Sequence, residues 1–228
     1  LASVLAIEAA RGPLHAAAAA AVAALTDAAT SITDLIRYQS DAASLGALRD
    51  SENADGDTQK ALDVMADDII ASALGRVDAV ASYLSEEQDA AIPLHAGGTV
   101  IVASDPLDGS SNIDTNVSIG TIFSILPAAG GTLQPGRNQI AAGFFVYGPQ
   151  TTLLVCFGGS VIALQLGDDG QFHDMGWQVH IPGVTSEFAI NASNQRHWHS
   201  EVAAYISDCQ TGKDGPRGRN FNMRWVGS

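Results

Sequence analysis

Three aspartates crowd the stretch SDPLDGSSNID, Ser104 to Asp114, directly after the apolar run TVIVA. Aspartate is a poor strand former and costly to bury unpaired, so some task must compensate for Asp105, Asp108 and Asp114 where a buried strand should end. Oxygen donors without His or Cys beside them select hard cations such as magnesium or manganese. Asp105 and Asp108 stand three residues apart across Pro106, and a stiff turn there lets both side chains and the exposed Leu107 carbonyl face one point. Gly109, Ser110, Ser111 and Asn112 follow, small residues whose free backbone amides suit a phosphate oxygen. Glu86 and Glu87, after the strand-like AVASYLS, supply further acidic ligands if the two strands are neighbours. Three converging carboxylates repel one another unless cations neutralise them. DPLDG alone suits a solvated turn, and SEE alone a charged loop. The repetition of strand-end carboxylates, preceded by an acidic helix face, points to a cation site.

The elements that must hold these residues follow from periodicity. Leu25, Ala28, Ala29, Ile32, Leu35 and Ile36 keep helical spacing after the alanine run, giving a long Ala-rich helix from about Ala16. Gln39 to Gly56 reads as a long surface loop. In GDTQKALDVMADDIIASAL the positions Leu62, Met65, Ala66, Ile69, Ile70 and Ala73 make one apolar stripe, with Asp57, Lys60 and Asp63 together on the opposite side. From Val117 the runs VSIGTIFSIL, IAAGFFVYG, TTLLVCF and VIALQL alternate with turns, as in a largely antiparallel sheet. EFAI reads as a further strand, and Trp198, Val202, Tyr205 and Ile206 as a helix. The fold class is α+β or α/β, with layered helices and sheets. A first domain spanning 1–180 carries the metal site, and 181–228 opens a second, α/β domain.

The chain has 228 residues with 46% hydrophobic content, enough for a real core. Its formal net charge of -14 argues against nucleic acid or an anionic membrane as partner, since both need clustered Lys and Arg. Cys156 and Cys209 form no CxxC pair, which fits a reducing, cytoplasmic setting, and Cys156 reads as a small core residue. The run Ala16 to Leu25 is too short to span a bilayer and continues into amphipathic helix.

DPLDGSSNID, the upstream SEE and GDTQKALD together resemble fructose-1,6-bisphosphatase class 1, of the lithium-sensitive, metal-dependent sugar phosphatase superfamily. VSIGTIF, LQPGRNQIAAGFFVYG and NMRWVGS are similar to further family segments, so the likeness runs from about residue 30 to the end. The resemblance implies a layered helix-sheet-helix-sheet-helix fold whose C-terminal part is incomplete here. It implies that Glu86, Asp105, Asp108 and the Leu107 carbonyl bind catalytic magnesium, with manganese as a substitute. Asp57, Asp63 and Glu87 would position and deprotonate the attacking water. Gly109, Ser110, Ser111 and Asn112 would receive the phosphate, Asn191 the distal phosphate, and Arg224 would reach that phosphate from a neighbouring subunit of a homotetramer. The implied substrate is a sugar bisphosphate, fructose 1,6-bisphosphate, in gluconeogenesis or the Calvin cycle. Sedoheptulose 1,7-bisphosphate is the alternative substrate, and a non-catalytic calcium-holding domain the rival from another class.

The family continues past the position of Ser228 with a further metal-ligating glutamate and part of the substrate pocket. A polypeptide truly ending there is expected to bind magnesium weakly and to turn over negligibly. A longer one is expected to be fully active. Asn194 replaces a phosphate-binding tyrosine of some relatives. AMP-sensitive members carry a Thr-Gly-Glu-Leu-Thr type turn and a Lys-Tyr pair where this chain has GPLHAAAAA and Thr99-Val100. Arg137 is retained but does not replace that cation and ring. AMP is therefore expected not to inhibit. A noncompetitive, micromolar AMP inhibition constant in a phosphate-release assay would contradict this.

Overall fold

The computed structural model describes residues 1–38, 48–52, 58–177 and 179–224. They fall into two compact units, Leu1–Val179 and His180–Ser228.

The first unit opens with two helices, α1 (Ala2–Ala9) and α2 (Pro13–Tyr38). Pro13 suits the first helical position, where its missing N–H costs nothing, and Gly12 at φ 136° makes the corner before it. The sequence pattern showed only the second of these helices. α2 is long and apolar enough to cross a membrane by composition, a correction to the short run read from the sequence, but 67% of its most apolar stretch is buried within the fold. Ala18, Ala21, Val22 and Ile32 are fully buried. Alanines along this face bring the helix axis close to the sheet, where larger side chains would hold it off.

β1 (Leu48–Glu52) pairs antiparallel with β2 (Thr58–Lys60). The expected surface loop over 39–56 is thus corrected within Leu48–Glu52, and its remainder lies outside the described residues. The next helix, α3 (Ala61–Leu74), begins later than the periodicity suggested, because Thr58–Lys60 pairs as a strand. Asp57 lies outside the described residues, and Lys60 is not on the helix. Asp63 is, but at 3% exposure it is buried rather than on a polar outer face.

An eight-stranded sheet completes the unit: β3 (Val80–Ser85), β4 (Ile92–Pro93), β5 (Val100–Asp108), β6 (Ile119–Pro127), β7 (Ala141–Tyr147), β8 (Thr151–Cys156), β9 (Ile162–Leu166) and β10 (Phe172–Asp174). Their order across the sheet is β10-β9-β8-β7-β6-β5-β3-β4. β5 to β10 form an antiparallel meander, and β3 beside β5 is the one parallel pair in this sheet. On β6 the alternate residues Ile119, Thr121, Phe123 and Ile125 are buried, as period-two geometry requires of a face packed on helices. Phe123, Phe145 and Phe172 pack ring against ring across that face, the first pair tilted and the second edge-on, with centroids 5.7 and 5.8 Å apart. The hydroxyls of Thr33 and Thr151, 3.2 Å apart, join α2 to β8. On the reverse face Ile122 and Phe144 are exposed, and Cys156, expected in the core, is half-buried there with its thiol 3.2 Å from the Gly159 carbonyl.

The second unit pairs β11 (Glu187–Ala189) in parallel with β12 (Asn222–Arg224). Parallel strands need a crossover, and α4 (Ser200–Thr211) supplies it.

Candidate active site

The acidic residues meet because β3 and β5 are a parallel pair. β3 and β5 run in the same direction with Ser85 beside Ser104, so the residues that follow them, Glu86 and Asp105, emerge at the same edge. The Glu86 amide donates to the Ser104 carbonyl at 3.1 Å and carries the pairing one residue past the strand. Both side chains line the same cleft on the reverse face, together with Ile122, Phe144, Leu154 and Val161, in a volume of about 690 Å³.

Asp108 joins them through an irregularity. Residues three apart on a regular strand point to opposite faces. Asp105 lies opposite Ile122, yet Asp108 lies opposite Gly120, so β5 spends three steps where β6 spends two. This is a β-bulge, and its extra residue returns Asp108 to the face of Asp105. The turn expected at Pro106 is thus a bulge within a continuing strand, a place where a proline's missing N–H is tolerated. Three contacts hold it. The Leu107 amide donates to Asp105 Oδ1 at 3.0 Å, the Leu107 side chain is buried, and Thr121 Oγ1 donates to the Pro106 carbonyl at 2.7 Å. Because Thr121 spends its proton on Pro106, the Tyr147 hydroxyl, 2.8 Å away, is the donor to Thr121.

Burial pushes the Asp105 carboxyl up from 3.8 to about 7, with Glu86 as the next cause and Asp108 a smaller one. Leu107 N–H opposes the shift but does not overcome it. Among the described residues no three His, Cys, Asp or Glu side chains close into a metal-binding group. What the structure brings together is the Glu86–Asp105 pair with Asp108 in its field. That donor set is all oxygen, and a hard divalent cation would relieve the repulsion that burdens Asp105, so these residues fit one.

Other expected residues lie around this pair or apart from it. Glu87 follows Glu86, its amide bound by Ser85 Oγ at 3.1 Å. Asp63 lies on α3, one turn before Asp67. Gly109 adopts φ 82°, the left-handed region open to glycine, and leads into a short 3-10 helix over Ser110–Thr115. For Asn112 the expectation of a free amide needs correction: its backbone N–H donates to the Gly109 carbonyl at 2.8 Å, closing the turn on itself. The Asn112 side-chain amide also donates to that carbonyl, at 3.3 Å. Asn191 and Arg224 belong to the second unit. Asn191 Oδ1 accepts from the Ser193 amide at 3.0 Å, capping a 3-10 helix over Ala192–His197. The Arg224 guanidinium pairs with Glu187 across β11 and β12.

The sequence reading missed Asp67. It is 2% exposed, and its carboxylate accepts from Tyr83 Oη at 2.9 Å and from Gln88 Nε2 at 2.6 Å. The available signal was its place beside Ala66 and three residues from Ile70, an acid at the border of an apolar stripe.

The fold is that of a sugar-bisphosphate phosphatase scaffold: the Leishmania major fructose-1,6-bisphosphatase crystal structure in holo form aligns with a TM-score of 0.83 at 27% identity, covering 93% of this chain and 68% of that one. The family model for the fructose-1,6-bisphosphatase N-terminal domain matches residues 8–175. Fructose-1,6-bisphosphatase class 1 of Azorhizobium caulinodans is 51% identical over 95% of this chain and 69% of its own length. A class 1 enzyme of Nitrobacter hamburgensis is 48% identical over 98% of this chain and 66% of its own length. The chain belongs to the fructose-1,6-bisphosphatase class 1 family, and it spans about two thirds of the length of these relatives.

A pH dependence follows from Asp105. Its folded-state pKa lies above its unfolded value, so the folded state binds the extra proton between 3.8 and about 7. Its contribution to stability is present below pH 4 and is lost as pH rises through 7. In the presence of a chelator, the melting temperature of wild type is expected to fall between pH 5 and 7.5 by more than that of Asp105→Asn. Equal falls in both proteins would contradict the assignment.

Proposed function

We propose that the full protein hydrolyses the 1-phosphate of fructose 1,6-bisphosphate in a divalent-cation-dependent reaction, releasing fructose 6-phosphate and phosphate. The observation that carries this reading is the convergence of Glu86 and Asp105 on one cleft, with Asp108 returned to their face by the bulge. Family membership supplies the substrate class.

Glu86, Asp105, Asp108 and the Leu107 carbonyl would hold magnesium, or manganese in its place. Such an ion, when bound, supplies positive charge against the phosphoryl oxygens and the leaving sugar oxygen. The chain's own residues do the rest. Glu87, Asp63 and Asp57 orient the attacking water and take its proton. Their carboxylates suit that task because hydroxide must approach an already anionic ester. Gly109, Ser110 and Ser111 present small side chains and backbone to the transferred phosphate. Asn191 still has its amide N–H groups to offer the distal phosphate, since its capping bond uses only Oδ1. Arg224 would reach that phosphate on a neighbouring copy in a homotetramer, exchanging its bond to Glu187 for the ligand. The apolar wall formed by Ile122 and Phe144 lowers the local dielectric, which strengthens every charge interaction in the cleft.

The test is magnesium-dependent phosphate release by the full protein, assayed on fructose 1,6-bisphosphate and on sedoheptulose 1,7-bisphosphate in parallel. Turnover is expected on the first, and Asp108→Asn is expected to lower kcat/KM on the order of a hundredfold or more while leaving the circular dichroism spectrum unchanged. No turnover of fructose 1,6-bisphosphate, or near-wild-type activity of Asp108→Asn at saturating magnesium, would overturn the reading.

A further inference from the structure

We propose that Asp67 is a positioning residue whose two carboxylate oxygens clamp β3 and β5 from behind, where their pairing ends at Glu86 and Asp105, and that cation affinity at these two residues depends on this clamp; the affinity half of the proposal rests on the function proposed above. The bonds assign the phenol proton. Tyr83 Oη, fully buried, donates to Asp67 Oδ1 at 2.9 Å. Since the phenol has a single proton, the Ser104 hydroxyl, 2.8 Å away, must donate to Tyr83. Gln88 Nε2 donates to Asp67 Oδ2 at 2.6 Å. Burial, together with the charge of Asp67, raises the Tyr83 pKa and keeps the phenol a donor.

The placement of these partners along the chain gives the clamp its purpose. Tyr83 and Gln88 bracket Glu86 and Glu87, so one carboxylate on α3 fixes the segment at both sides of the acidic pair. Ser104 immediately precedes Asp105, so the same carboxylate, through Tyr83, also holds β5 where its pairing with β3 ends. Side chains alternate along both strands. The Tyr83 and Ser104 hydroxyls bond toward α3, with Ser104 opposite the buried Phe123, while Asp105 lies opposite the exposed Ile122 and lines the cleft with Glu86. Glu86 and Asp105 repel one another just past the last β3–β5 pair, where β3 ends and its chain is free to splay from β5. A restraint on the opposite face opposes that splaying without occupying the cleft. A purely structural hydrogen-bond cluster would have no reason to bracket these residues and would affect the fold evenly.

The test uses the full protein with two readouts, one independent of any ligand. In Asp67→Asn an amide replaces one oxygen, so one of the two donors faces another donor. Hydrogen exchange at the Glu86 amide, which is bound to Ser104, is expected to quicken at least about tenfold, with amides of β7 and β8 little changed. The Mn2+ dissociation constant, followed by electron paramagnetic resonance, is expected to rise at least about tenfold. Tyr83→Phe, which keeps the shape and removes one donor, is expected to move both readouts the same way by less, and it serves if Asp67→Asn does not fold. Thr33→Val, which removes a buried hydroxyl on α2, is expected to lower stability and leave both readouts unchanged. Unchanged Glu86 exchange, or a rise shared equally by β7 and β8, would overturn the clamp. Mn2+ affinity equal in wild type and Asp67→Asn would overturn its link to the site. A wild type that binds no Mn2+, combined with locally faster exchange in the variant, would leave the clamp standing, and would overturn the cation reading and with it the affinity half of the proposal.

Discussion

The pairing of β3 with β5 ends at Ser85 beside Ser104, and each chain goes on at once to a carboxylate. Antiparallel neighbours would have placed Glu86 and Asp105 at opposite edges of the sheet. The parallel pair puts them at one edge, on one face, against an apolar wall. That placement is electrostatically unfavourable for the chain alone, as the raised Asp105 pKa registers. The surrounding structure can be understood as what holds two like charges together so that a ligand of opposite charge can relieve them. β6 contributes from one side: Thr121 grips the Pro106 carbonyl and so preserves the bulge that adds Asp108. α3 contributes from behind, through Asp67.

The helices provide the rigidity this needs. α2 presents alanines to the rest of the fold, and its fully buried positions leave little room for the core to shift. Meander strands β6 to β8 are tied by continuous register, with Phe123 packed against Phe145 on the helix-covered face. A site built on such strand ends is held more closely than one on loops, which matters where displacements of about 1 Å can cost on the order of a hundredfold in rate.

Much of this was legible in the sequence. Hydrophobic periodicity gave α2, most of α3 and the antiparallel meander, because each buries one face with a period that the residues repeat. Acid residues after two apolar runs gave Glu86, Asp105 and Asp108 as a group. The reason for their grouping was not legible. A bulge is a matter of register between two strands, and nothing in DPLD distinguishes it from a turn. Thr58–Lys60 was read as helix because strand pairing with Leu48–Glu52 is a tertiary choice that local spacing does not encode. Asn112 was expected to offer a free backbone amide, yet that amide closes its own turn. Asp67 escaped notice because an acidic residue on a helix usually marks a solvated face, and only its partners Tyr83 and Gln88, 16 and 21 residues away, make burial affordable.

Diffraction from crystals of the full protein grown with Mn2+, recorded for anomalous scattering, tests the central claim most directly. The account requires a peak between the Glu86 and Asp105 carboxylates, with oxygens of both within about 2.3 Å of it. A peak only at some other acidic cluster, such as Asp169 with His173, with the Glu86 and Asp105 carboxylates turned apart, would contradict it.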